Sequence, residues 1–451
     1  MLTSKRFPAD GEFHPGASGI PRREWDYWLL LPIASPRHGF VRSTQNIALR
    51  RLPITGLKIA IIIRRLNVRG GAQRQAIFLA RTLGARGHEV TLYTFLPPGA
   101  DAYADLLEGL RVVALGRYPA SRTLLYDFFA EHRASRALAR LIDRDTDLLN
   151  PHDQVSFQAA AHFKKRIRRV PSVWMMNDLP TRGFGAWRDR QTGAGRRTSF
   201  LKDLVARALD IYETATCIRA QDFIAVLDER DRGWVREFFR RDAEVVRSGI
   251  DAGRFPYREP QGIAAGRAIR ILAVGILFPH RRFEDLIEAV SLARDRGLRI
   301  ACVIVGGYGP GDPYYKKLLD LRRRARLDDA VRFAGRVSED ELHRLYRDSD
   351  IFVFPSHLQS WGLAVFEAMA SGLPVIVSQS AGAAEVLTDG VNALIVPPRS
   401  PRAIADAIGR IAADGGLYGR LGRDGRRFVE ENISWERYTD AMEMIFRKTS
   451  V

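Results

Sequence analysis

The sequence predicts an α/β protein built as two doubly wound domains of parallel sheet. A nearly continuous β-branched run, Leu57 to Ile63, leads through a glycine turn into an amphipathic helix and a second apolar strand. The same succession restarts at Ile269. A chain of 451 residues also exceeds the size at which one hydrophobic core keeps growing, so two domains are expected.

Residues 1–56 are rich in Pro, Gly and Arg without a sustained period, and read as an N-terminal extension, poorly ordered or packed on the surface. Leu57-Lys58-Ile59-Ala60-Ile61-Ile62-Ile63 suits a strand buried on both faces of a parallel sheet. Arg69-Gly70-Gly71 follows, then a helix with Ala72, Ala76, Leu79 and Leu83 on one stripe. Gly87 ends that helix, and Val90 to Phe95 is the next strand, which completes a βαβ unit. Turn residues Ser248-Gly249-Ile250-Asp251 interrupt the pattern and divide a first domain, 57–247, from a second, 248–428. The second run opens with the strand Ile269 to Gly275, a helix from about Arg282 to Arg296, the strand Ile300 to Val305 and the turn Gly306-Gly307-Tyr308-Gly309. Further strands are expected at Val331 to Phe333, Ile351 to Phe354 and Pro374 to Val377. Residues 429–451 form a last helix, with Trp435, Tyr438, Met442 and Ile445 on one stripe after the second sheet is complete. That stripe needs a partner, and the first domain is the candidate.

A formal net charge of +18 attracts polyanions: nucleic acid, anionic lipid surfaces or phosphorylated small molecules. The basic residues are scattered as Arg pairs with no nucleic-acid-binding motif, so nucleic acid is not expected as a partner. A coding bias toward Arg accounts for the surplus equally well. Cys217 and Cys302 have no metal-ligand spacing and read as small core residues of a reducing compartment. No run approaches the ~18–20 apolar residues of a membrane span. The run Trp28 to Ala34 is short and holds Pro32, and acidic residues interrupt the start of the chain. A cytoplasmic protein is expected, with the inner leaflet as a candidate surface.

Chemistry concentrates in the turns. Gly70 and Gly71 allow backbone approach to a ligand, and the helix beyond offers unpaired N–H groups to an anion. A tight βα turn without a ligand has the same signature. The segment Pro355-Ser356-His357-Leu358-Gln359-Ser360-Trp361-Gly362-Leu363-Ala364-Val365-Phe366-Glu367-Ala368-Met369-Ala370-Ser371-Gly372 is more specific. Glu367 is a lone carboxylate on a small, apolar helix, and is either a partly exposed helical Glu with no role or a carboxylate that accepts two hydroxyl hydrogen bonds, as a ribose offers.

This segment resembles the hallmark of the retaining glycosyltransferases of family 4, which have the GT-B architecture: P-S-x-x-E-G-F-G, four residues, then E-A-M-A-x-G. The chain keeps the spacing, with Gln359 in place of the first glutamate and Ser360-Trp361 in place of the G-F pair. Other pieces follow in family order: Arg69-Gly70-Gly71-Ala72, Arg86-Gly87-His88-Glu89-Val90, Arg247-Ser248-Gly249-Ile250-Asp251, Gly306-Gly307-Tyr308-Gly309, Val331 to Val337 and Asn432-Ile433-Ser434-Trp435. The resemblance implies two Rossmann-like domains facing a cleft, the first for acceptor and the second for nucleotide-sugar donor, with a C-terminal helix crossing back. It implies that Glu367 holds the ribose, that Arg281, with Arg282 in reserve, and N–H groups near Gly362 hold the diphosphate, and that Gly70 and Gly71 approach the phosphates and sugar. Gly275, Gly307, Val337, Trp361 and Leu363 complete the implied donor site. His152 stands at the second position of the family's H-x-H, facing the sugar, with Asn150 at the first. Ile276 stands where the family's first diphosphate-binding Arg falls. His152, Gln359 and Arg281 are thus the implied catalytic group.

The implied reaction moves a hexose-type sugar from a UDP- or GDP-sugar to a glycan or lipid-linked acceptor, with no cofactor and no metal. Lys164-Lys165-Arg166-Ile167-Arg168-Arg169 is either a solvated helix face or contact with an anionic membrane. Because Gln359 brings no charge to the donor sugar, a non-catalytic nucleotide-sugar-binding partner subunit is the alternative. A GT-B epimerase lacks the glutamate-containing helix, and a Rossmann oxidoreductase would need a Gly-x-Gly-x-x-Gly after the first strand.

Overall fold

The computed structural model describes residues 56–99, 102–119, 121–180, 200–264, 266–309 and 311–449. The N-terminal extension expected at 1–56 lies outside them except for Gly56. Strand β1 (Lys58–Arg65) pairs in parallel with β2 (Glu89–Leu96) on one side and β4 (Leu148–Pro151) on the other. With β3 (Arg111–Ala114) the order is β3-β2-β1-β4. Strands β5 (Val173–Met176), β6 (Phe223–Val226) and β7 (Glu244–Val245) form a second parallel sheet. The parallel bridges Leu149–Ser172 and His152–Met175 tie its β5 edge to β4. Ile59 to Ile63 are all buried, because helices cover both faces of β1.

The second domain holds one parallel sheet of order β10-β9-β8-β11-β12-β13. Its strands are β8 (Ile269–Val274), β9 (Ile300–Val305), β10 (Val331–Gly335), β11 (Ile351–Phe354), β12 (Val375–Ser378) and β13 (Leu394–Val396). Strand order reverses at β1/β4 and again at β8/β11. Crevices outside the carboxyl ends of strands at such a reversal are where open α/β sheets bind ligands. The architecture is GT-B, as the motif resemblance implied.

Six helices position the site: α1 (Gly71–Ala85), α2 (Asp153–Arg166), α3 (Phe283–Asp295), α4 (Glu339–Asp348), α5 (Leu363–Ala370) and α6 (Trp435–Lys448). The stripe of α6 finds its partner on α1, where the Trp435 and Phe78 rings stack with centroids 4.7 Å apart. Arg86 adds ion pairs to Asp440 at 2.8 Å and Glu443 at 3.0 Å. The chain leaves and re-enters the first domain side by side: Ile250 N–H donates to the Ile433 carbonyl at 3.3 Å. A Cβ on Gly249 would lie 2.2 Å from the Ser434 backbone, so only glycine fits this crossing. One apolar cluster runs from β1 and α1 through Trp361, Val365 and Phe366 to Trp435 and Met442. Among the described residues no helix is long and apolar enough to cross a membrane.

Candidate active site

A cleft of about 610 Å³ lies at the carboxyl ends of both sets of strands. Its lining includes Arg64 and Arg65 from the end of β1, Asp153 after β4, Gly275 after β8 and Phe354 at the end of β11. The switch points of both domains thus open on one space.

On the second-domain wall, α5 begins at the cleft. Gly362 is its N-cap with φ 93°, a left-handed conformation, and a Cβ there would stand 2.9 Å from the Phe354 ring. Gly362, Leu363 and Ala364 line the space, so the positive end of the helix faces it. Arg281, in the short turn Pro279–Arg281, lies over the Phe354 ring at 5.8 Å and packs against Gly275, whose missing Cβ would be 3.2 Å from its Nε. Arg282 is differently occupied. Its guanidinium holds Asp285 at 2.9 Å and Glu284 at 3.1 Å at the start of α3, so that charge is already neutralised. The reserve diphosphate ligand is thus a structural ion pair, and it is not among the cleft-lining residues. Gly307 and Val337 also stand back from the cleft, Gly307 against Arg336 and Val337 against the core.

Glu367 faces the cleft from α5, nearly buried, with both oxygens engaged. Arg74 of α1 donates to Oε1 at 2.7 Å, and the buried Tyr346 hydroxyl donates to Oε2 at 2.8 Å. Burial, then the Glu367 charge, pushes the Tyr346 phenol far up, which keeps it a donor. Burial alone would lower Arg74, but Glu367, Tyr103 and Glu339 outweigh it and raise its pKa. Glu339, in the first turn of α4, also takes Arg69 at 2.6 Å. The carboxylate implied for ribose is therefore bridged across the cleft by an arginine of the opposite domain.

On the first-domain wall, Gly70 exchanges two hydrogen bonds with the Tyr103 hydroxyl, at 2.6 and 2.9 Å, and Gly71 meets Leu363 of the other domain. His152 is fully buried behind this wall, whose lining residues at that point are Asp153 and Gln154. Its Nε2 lies 2.9 Å from Asn150 Oδ1, while the Asn150 amide donates to the Val173 carbonyl. That fixes Nε2 as the protonated nitrogen and Nδ1 as a bare acceptor, which has no partner among the described residues. Burial pulls the ring down to about 3, so His152 is neutral.

Gln359 lines the cleft and its main-chain oxygen accepts from Arg230 at 2.8 Å. Arg230, from the first domain, also reaches the Ser380 carbonyl and Asp228. Trp361 lines the same region and donates from Nε1 to the Ser248 carbonyl at 2.9 Å. Sequence reasoning missed Arg74, Tyr346, Glu339, Arg230 and the Arg64-Arg65 pair. Arg74 had a signal, because it follows the glycine loop by one helical turn and points the same way. Arg64 and Arg65 end β1 just before that loop without a pattern to mark them, and the others are brought in from distant elements.

A protein-family model described as Glycosyltransferase Family 4 matches residues 69–254, and one described as Glycosyl transferases group 1 matches 257–428. Over 398 residues the chain is 26% identical to glycogen synthase of Mycobacterium tuberculosis, spanning 84% of this chain and 91% of that protein. Over 399 residues it is 33% identical to an uncharacterized glycosyltransferase of Methanocaldococcus jannaschii, spanning 84% and 96%. The crystal structure of Anabaena HepE in complex with UDP and glucose shares the fold, with a TM-score of 0.68 at 16% identity, over 87% of this chain and 100% of that one.

Proposed function

The chain belongs to the family 4 glycosyltransferases of GT-B fold, and on that premise we propose that it transfers a hexose-type sugar, with retention, from a UDP- or GDP-sugar to a glycan or lipid-linked acceptor. One observation carries the reading: Glu367, Arg281 and the opening of α5 share one wall of a cleft whose other wall is the Gly70-Gly71 loop. HepE, of the same fold, holds UDP and glucose.

In this reading the donor ribose takes the Glu367 oxygen that Arg74 now holds. The diphosphate lies between Arg281 and the first N–H groups of α5, whose positive charge replaces a metal as the nucleotide departs. The C1–O bond to phosphate breaks with its electron pair on the leaving oxygen. The acceptor hydroxyl bonds to C1 from the same face, and its proton passes to that phosphate oxygen. Gln359 presents an amide to the donor sugar. The excess positive charge suits work at the cytoplasmic side of an anionic membrane. The engaged Glu367 and the neutral Gln359 also fit a partner subunit that binds donor without turning it over.

The test is a screen of UDP- and GDP-sugars with EDTA present, alone and with lipid extracts or oligosaccharides, following thermal shift and nucleotide release. Acceptor-dependent release, lost in Glu367→Ala, is the expected result and names the donor. Stabilisation without turnover on any acceptor favours the binding subunit. Absence of binding to every nucleotide sugar overturns both.

A further inference from the structure

The first-domain wall carries positive charge that its neighbours offset only in part. Arg64 and Arg65 are the last two residues of β1 and both line the cleft. Among the described residues neither meets a carboxylate within ion-pair distance, in a chain where most half-buried arginines do. Arg64 rests over the Tyr118 ring at 5.6 Å. The nearby carboxylate, Asp153, is spent elsewhere: its Oδ2 accepts the Arg64 backbone N–H at 2.8 Å and its Oδ1 the Ser156 hydroxyl at 2.7 Å. Burial and the like charges of Arg64 and Arg336 all disfavour the Arg65 cation, and Asp153 and Tyr118 offset them only in part. A half-buried guanidinium beside a second one is costly unless an anion completes it, and its planar fork matches an oxyanion bidentately.

We propose that Arg65, supported by Arg64, holds an anionic group of the acceptor, a phosphate monoester or diphosphate, so that the acceptor is a phosphorylated sugar or a phosphate-linked lipid. This rests on the glycosyl-transfer reading and adds the class of acceptor to it. The donor diphosphate is the competing anion, but its cation and helix terminus stand on the opposite wall at Arg281 and Gly362. Beside Arg64 and Arg65 the wall instead offers Asp153, Gln154 and Asn177, which suit hydroxyl groups of a sugar.

The test compares wild-type protein with Arg65→Gln and Arg65→Lys, checked for an unchanged unfolding midpoint. Each is titrated with inorganic phosphate, glucose 6-phosphate and glucose, and separately with UDP and GDP. The proposal expects phosphate and glucose 6-phosphate to bind roughly tenfold or more weaker to Arg65→Gln, with Arg65→Lys between, while nucleotide affinity stays unchanged. Flotation with phosphatidylcholine vesicles, with and without phosphatidic acid, separates the two sources. Arg65-dependent flotation assigns the anion to a lipid, and binding confined to glucose 6-phosphate assigns it to a soluble acceptor. Nucleotide affinity lost with phosphate binding intact puts Arg65 in the donor site and overturns the proposal. Wild-type protein that binds nucleotide but neither phosphate probe overturns it and leaves the transfer reading standing. Failure of both nucleotides to bind removes the transfer reading, and the acceptor assignment with it.

Discussion

At the residue scale the central fact is competition for Glu367. Arg74 and Tyr346 each donate to one of its oxygens, and in the proposed donor complex the ribose hydroxyls compete with them for the same carboxylate. Arg74 is the one free to leave, because it comes from the opposite domain and keeps Glu339 at 3.4 Å as a second partner. Removing Arg74 strands a buried carboxylate, which costs about 1–3 kcal/mol. Arg74→Ala is therefore expected to unfold at lower temperature than the parent protein without ligand. UDP or GDP should restore more stability to it than to wild type, since ribose hydroxyls fill the vacated place. Equal nucleotide-induced shifts in the two proteins would show that Glu367 and the ribose never meet.

At the scale of elements, α5 owes its direction to Gly362. The left-handed φ and the 2.9 Å approach to the Phe354 ring leave no room for a side chain. Gly362→Ala should cost about 2 kcal/mol or more. It should also weaken nucleotide binding disproportionately, because the first turn of α5 would tilt away from the cleft. An activity loss matched by no change in nucleotide affinity would separate the helix terminus from the diphosphate. Much at this scale was legible in the sequence: β1, α1, β8 and α6 are long or strongly periodic, and glycine turns stand where the helices begin in both domains. The short strands β3, β5, β6, β7 and β13 were not, since runs of two to four residues look alike in a strand, a loop or a buried helix.

At the largest scale, contacts join the two α/β domains. Trp435 stacks on Phe78 at one side, and Arg230 grips the Gln359 and Ser380 carbonyls at another. Arg230 is flanked by Asp228 and Asp231, both buried, and Arg247 and Glu385 pack beside them. Burial raises Asp228, against the pull of Arg230, while burial and the neighbouring Asp228 raise Asp231 further. Because the folded protein binds these protons more tightly than the unfolded chain, their contribution to stability is present at low pH. It is lost as pH rises above the ordinary carboxylate range. Asp231→Asn, which keeps the shape without the charge, is expected to raise the unfolding midpoint at neutral pH and flatten its decline with rising pH. A variant whose midpoint falls at every pH would mean that Asp231 is ionised and paired in the fold.

Local patterning alone determined the two α/β halves, the glycine loops, the α5 motif and the C-terminal helix with its unpartnered stripe. These rest on periodicity and on backbone conformations that only certain residues adopt, and both are written within a few neighbouring positions. Tertiary structure decided where each charge is placed. Arg281 and Arg282 are adjacent in sequence, yet one lines the cleft and the other is neutralised by α3. Glu367 was recognisable, but its partner Arg74 lies on a helix of the opposite domain, and Arg65 stands out because the carboxylate nearest it, Asp153, is engaged by the Arg64 backbone and Ser156. A charge is valued by its surroundings, and those surroundings are assembled from distant segments that no local pattern encodes.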